Sequence, residues 1–122
     1  MFTFDSDVLM HFLNSKEPES SFVLQNLKNG TLTYVSTITE TELLSHKYLE
    51  VQEIVDINEL LKSFSLISVD SNIAKIAGAL RRKYSLKTPD ALIAATAIFT
   101  GSTLVTGNLK DFEKIKELKL WK

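Results

Sequence analysis

Short apolar runs alternate with stretches of helical periodicity along the whole chain. Met1–Phe4 is β-forming and ends at Asp5, after which Val8, Leu9, Phe12 and Leu13 recur at helical spacing. Pro18 marks a break. Phe22, Val23 and Leu27 then predict a second helix, stopped at Asn29-Gly30. Leu32–Val35 reads as a second strand. Thr37–Leu49 reads as one helix, with Ile38, Leu44, Tyr48 and Leu49 on or near one face, and Ile54, Ile57, Leu60 and Leu61 give another. Phe64–Val69 has the β-former content of a third strand. Asp70 caps an amphipathic helix that carries Ile73, Ile76, Ala77, Leu80 and Tyr84 at spacings of three and four.

Thr88-Pro89 opens the next helix, with Thr88 as N-cap and Pro89 at the first helical position. Its body, ALIAATAIF, is apolar almost all round, which predicts a buried helix. Gly101 stops it. Thr103–Thr106 is a fourth strand, Asn108–Glu113 a short turn or helix, and Leu118–Trp121 a last edge strand. Phe12, Phe22 and Phe99 fit core periodicity, and Trp121 an edge anchor. Short strands alternating with helices predict an α/β layer fold with a mostly parallel sheet.

The length, 122 residues, fits a single domain that needs no covalent staple. With no cysteine, a disulfide scaffold, a thiolate nucleophile and a cysteine-based zinc site are all excluded. No apolar run reaches the ~18 residues of a membrane span. The N-terminal MFTFDSDVLMHF carries acid where a signal peptide carries base, so the expectation is a soluble, cytoplasmic protein. Lysine plus arginine number 14 against 15 acids, a formal charge of −1. Net charge therefore gives no hint of a nucleic-acid partner, and any such binding must come from local patches.

Several acidic or amide positions fall where a parallel sheet would gather them. Asp5 ends the first strand, Glu42 lies one turn into the helix after the second, Asp90 opens the buried helix, and Asn108 and Asp111 follow the fourth strand. In an open parallel sheet the carboxyl ends of strands face one crevice, where ligands bind. Each position also has a local explanation. Asp5 can cap the first helix; Glu42 can return a capping-box bond to Thr39; Asp90 can favour a helix dipole; Asn108 and Asp111 can be cap and third residue. Convergence is harder to explain locally, because two carboxylates 4 Å apart repel by ~4 kcal/mol at an effective dielectric of 20. A cation would offset that cost. Oxygen ligands, no cysteine, and His11 and His46 without ligand spacing favour Mg²⁺ or Mn²⁺ over Zn²⁺.

Four blocks carry a family resemblance: DSDVLM at 5–10, TITETELL at 37–44, TPDALIAATAI at 88–98 and LVTGNLKDF at 104–112. In order and spacing they resemble the signature blocks of the PIN-domain family, and most closely the VapC toxins of toxin–antitoxin pairs. The resemblance spans essentially the whole chain. It implies a three-layer α/β/α fold with a mostly parallel central sheet of four or five strands, and a Mg²⁺-dependent endoribonuclease. It gives Asp5, Glu42 and Asp90 the family's acid roles. Many relatives have Asp where this chain has Asn108; Asp111, or Asp7, is then the substitute for the missing charge. On this reading Asp5, Asp90, Glu42 and Asn108 are the metal-binding set. Glu42 or Asp111 orients the attacking water, and Ser6 and Thr106 donate hydrogen bonds to a phosphate or a carboxylate.

Arg81-Arg82-Lys83, with Lys87 just before the Thr88-Pro89-Asp90 turn, is the candidate RNA-backbone contact; a solvated helix end is the alternative. The resemblance further implies a small antitoxin lying across the helices near the site, and a homodimer. The apolar residues of Thr37–Leu61 suit such a groove or a core equally. Rival readings are a PIN-type enzyme of RNA maturation, a non-catalytic interaction module, and a receiver-like signalling domain, whose expected lysine and phosphorylatable aspartate are poorly matched here.

Overall fold

Two of the four strands pass directly into a helix through a polar side-chain cap, and a third meets such a cap three residues on; this punctuation sets the architecture. The computed structural model describes residues 1–15 and 21–122, so the break expected at Pro18 lies outside the described residues. Strand β1 (Phe2–Phe4) ends at Asp5, whose carboxylate accepts the Ser6 N–H at 2.8 Å and starts α1 (Ser6–Asn14). After α2 (Phe22–Lys28), β2 (Thr33–Ser36) ends at Ser36, whose hydroxyl accepts the Ile38 N–H at the start of α3 (Thr37–Leu43). Helix α4 (Val51–Leu61) leads to β3 (Ser65–Ile67), and Asp70 then caps α5 (Ser71–Lys83) by accepting from Ile73. Helix α6 (Thr88–Thr100), β4 (Thr103–Val105) and the single turn α7 (Leu109–Phe112) complete the chain.

The four strands are parallel, in the order β3-β2-β1-β4. Phe2 stands opposite both Thr33 and Thr103. Successive strand residues point to opposite faces, and the core divides accordingly. Phe4, Val35 and Val105 pack with Leu9, Val23, Leu43, Ile57 and Leu61 from α1–α4. Leu104, next to Val105, joins a second cluster with Ile73, Ala77 and Leu80 of α5, Ile93 and Ala97 of α6, and Phe112. Helices therefore cover both faces, giving the expected α/β/α layering. A fifth strand is reduced to one bridge, Leu104 with Leu120, beside which Trp121 stacks on Phe22 at 4.4 Å.

Three local expectations change. The helix expected over Thr37–Leu49 ends at Leu43, because Tyr48 is 84% exposed and contributes no packed face, while Glu50 and Glu53 form a capping box that starts a new helix at Val51. Helix α6 is capped by Lys87 without a side-chain bond, and Thr88 is already helical. Phe99 is 49% exposed, on the one face of α6 that meets no other layer. The predicted burial of α6 otherwise holds: Ala91, Ile93, Ala94, Ala95, Thr96 and Ala97 are all buried.

Candidate active site

The strand order turns back at β1: β2 and β3 lie on one side and β4 on the other. At such a switch point the loops leaving adjacent strands diverge and open a crevice at the carboxyl edge of the sheet. Asp5 leaves β1 and Thr106 leaves β4 at this edge, joined by a bond from the Asp5 N–H to the Val105 carbonyl at 3.0 Å. Asp5 is buried, and the Thr106 hydroxyl donates to its Oδ2 at 2.8 Å. The same hydroxyl accepts the Asn108 N–H at 3.0 Å. Asp7, one residue into α1, accepts the Gly107 N–H on Oδ2 at 2.9 Å. Any side chain at Gly107 would meet this carboxylate, since a Cβ there would lie 2.7 Å from Asp7 Oδ2. Glycine thus permits the loop after β4 to approach α1.

The acids form a continuous electrostatic network. Burial, then the charges of Asp7 and Glu42, push the Asp5 carboxyl from 3.8 up to about 6, against the lowering effect of the Thr106 and Ser6 hydrogen bonds. Glu42 is also raised, by burial and then by the charges of Asp90 and Asp7, although the Ser6 hydroxyl bonds to it. Asp90 is raised by burial and by Asp111, with Lys87 and Lys114 pulling the other way. The interactions run as a chain, Asp5 with Asp7 and Glu42, Glu42 with Asp7 and Asp90, and Asp90 with Asp111. Local roles coexist with this: Asp5 is a true helix cap, whereas the capping box at Thr39 does not form, because Ser36 caps α3 instead. Asn108 donates its amide to Asp111, so the neutral residue holds the charged one in position.

Among the described residues Lys87 and Lys114 act on Asp90, and no ion pair neutralises Asp5, Asp7 or Glu42. Among the described residues the ion pairs are Lys62–Glu59 and Lys83–Glu117, both outside it. The described residues also contain no three His, Cys, Asp or Glu side chains already grouped about one ion position. The donors are all oxygen, and the raised carboxyl values show a charge cost that a divalent ion would offset.

The basic run is less concentrated than its sequence suggests. Arg81 Nε donates to the Leu86 carbonyl at 3.1 Å, Arg82 lies back toward Gly78, and Lys83 pairs with Glu117 and lies 5.5 Å from the Tyr84 ring centroid. Lys87 does reach the site, joined by Lys114, which the sequence reading missed. No local pattern marks Lys114: it lies beyond the end of α7, and its placement depends on the carbonyl of Ser85, 29 residues away. His11 and His46 are exposed.

A family model described as the PIN domain matches residues 2–118. Ribonuclease VapC1 of Rickettsia felis is 31% identical over 102 residues, covering 71% of this chain and 73% of its own. Ribonuclease VapC19 of Mycobacterium tuberculosis is 25% identical over 120 residues, covering 94% of each chain. Among solved structures, VapBC2 from Rickettsia felis bound to a DNA fragment from its promoter matches with a TM-score of 0.85 and 26% identity, over 99% of this chain and 98% of that one.

Proposed function

The chain belongs to the PIN-domain family, and from that premise we propose that it is a Mg²⁺-dependent endoribonuclease, the toxin of a toxin–antitoxin pair. The observation that carries the reading is the carboxylate network at the switch point, which joins Asp5 at the end of β1 to acids of α3, α6 and α7 and which no ion pair among the described residues closes.

Asp5 and Asp90 would hold the ion, with Glu42 beside them and Asn108 at the margin. Bound there, Mg²⁺ or Mn²⁺ supplies the Lewis acidity that phosphodiester hydrolysis needs. Thr106 fixes the Asp5 carboxylate by donating to Oδ2, and the Ser6 N–H fixes Oδ1. Glu42, oriented by the Ser6 hydroxyl, accepts a proton from the attacking water at a carboxylate oxygen. Its raised pKa brings it closer to the working pH, which favours a general base. Asp111, oriented by Asn108, is the alternative acceptor. The water oxygen bonds to phosphorus, one P–O ester bond breaks, and the departing oxygen takes up a proton.

A small antitoxin partner, a homodimeric assembly and a cytoplasmic setting belong to the same proposal. The titles of structural neighbours, which describe toxin–antitoxin complexes, support the antitoxin partner; the dimer and the setting rest on the family resemblance alone. The deciding experiment incubates mixed RNA with the wild type and with Asp90→Asn, in Mg²⁺, Mn²⁺ or EDTA. We expect metal-dependent cutting that falls at least a hundredfold in the variant, a typical scale for loss of one charged group in such a site. Cutting that persists in EDTA, or in Asp90→Asn, would exclude this mechanism.

A further inference from the structure

Basic side chains approach the acid network from one direction, across α6. There a small polar cavity of about 90 Å³ is lined by Ser85, Leu86, Lys87, Asp90, Asp111 and Lys114. Lys114 is anchored, with its Nζ donating to the Ser85 carbonyl at 2.9 Å. Both lysines act electrostatically on Asp90, yet among the described residues neither forms an ion pair with Asp90 or Asp111. Their charge is held beside the carboxylates without being quenched by direct contact. A role limited to neutralising Asp90 would be better served by a closed ion pair.

We propose that this cavity is a subsite for a backbone phosphate of the RNA, adjoining the scissile position, with Lys87 and Lys114 as its cationic walls. The identification of the polyanion as RNA rests on the nuclease reading above. Three features favour a phosphate. The volume is far below the ~300–1,000 Å³ of pockets that enclose drug-sized ligands, so a compact group fits and a nucleobase with its sugar does not. Lysine binds phosphate as a point charge with freely rotating donors, and it tolerates the variable geometry of a flexible strand. Lys114 Nζ has three N–H donors and the Ser85 carbonyl takes one, leaving two for phosphate oxygens. The arrangement divides the crevice about Asp90: on its Glu42 side no basic group among the described residues acts on Glu42 or Asp5, while on its Asp111 side Lys87 and Lys114 oppose a second divalent ion. A strand crossing it would meet the ion at one phosphate and the lysines at a neighbouring one.

The test measures binding without cleavage. A short fluorescent single-stranded RNA is titrated with the full chain in EDTA over a range of KCl concentrations, and log Kd is plotted against log [KCl]. Lys114→Met and Lys87→Met should each weaken binding several-fold at low salt and flatten the slope by about 0.7, the contribution of one phosphate contact on a single strand. Lys114→Arg should restore both, whereas Lys62→Met, at an exposed lysine paired with Glu59 outside the site, should leave the slope unchanged. If Lys114 only tethers the Ser85 loop, Lys114→Met shifts Kd with its slope unaltered, and that result overturns the proposal. So does a wild type that does not bind at low salt, or failure of arginine to restore the slope. A parallel cleavage assay in Mg²⁺ separates the two readings. Cutting with unchanged slopes removes the subsite alone; flattened slopes without cutting by the wild type remove the nuclease assignment and leave an RNA-binding site.

Discussion

Thr106 has both hydrogen-bonding capacities of its hydroxyl committed, donating to Asp5 and accepting from Asn108. Its burial means that water cannot replace either partner. Thr106→Val keeps the shape and removes both bonds, so it should cost about 1–3 kcal/mol in urea unfolding, the penalty for buried groups left unpaired. Thr106→Ser should recover most of the loss. NMR titration of the Asp5 carboxyl offers a separate check: its pKa should rise above about 6 in the valine variant, because the bond that favours the charged form has gone. An Asp5 value unmoved by valine would mean that Thr106 does not govern this carboxylate.

At the scale of elements, Gly101 ends α6 with φ 67°, in the left-handed region, and its N–H bonds to the last carbonyls of the helix. Gly101→Ala should lower stability by about 1 kcal/mol, the usual cost of a side chain in that conformation; an unchanged thermal midpoint would contradict it. This helix stop was legible in the sequence, as were all four strands and the burial of α6, because glycine, β-branched runs and an apolar helix each have one dominant physical cause. The start of α6 was read one residue late, since Pro89 is compatible with either of the first two helical positions. The overrun of α3 had another source: Leu44 and Tyr48 satisfy the period, but period alone does not say whether a face meets a neighbour. For the site, the acids could be found because strand ends in a parallel sheet share an edge. Gly107 and Lys114 escaped because their importance depends on contacts with Asp7 and Ser85, about 100 and 29 residues away, which no local pattern encodes.

On the scale of the whole molecule, the acid network ties the fold to pH and, under the proposed function, to divalent ions. The Asp5 carboxyl binds its proton more tightly in the folded chain than in the unfolded one, at about 6 against 3.8. Between those values the native state holds more protons, so the metal-free fold loses stability as pH rises through this window. Asp5 alone sets an upper bound of ~3 kcal/mol; the raised values of Glu42 and Asp90 act in the same direction, and the lowered value of the exposed Glu117 opposes them weakly. Calorimetry should therefore give a thermal midpoint that falls between about pH 4 and pH 6 in EDTA. Added Mg²⁺ should raise the midpoint most above pH 6, where the carboxylates are ionised and bind the ion. A midpoint that is flat in EDTA, or indifferent to Mg²⁺ at pH 7, would mean that the acids do not share a charge cost.

The bond between Thr106 and Asp5 spans 101 positions of sequence. During synthesis Asp5 precedes Thr106 by that whole interval, and β4 must slot in beside β1 before the two can meet. Contacts of such long range form late, because the intervening chain must first give up its freedom. A growing polypeptide that has not reached residue 103 lacks one wall of the crevice, whatever its helices have already done. The crevice would thus stay open on one side until β4 has been made and docked, however early the other walls are in place.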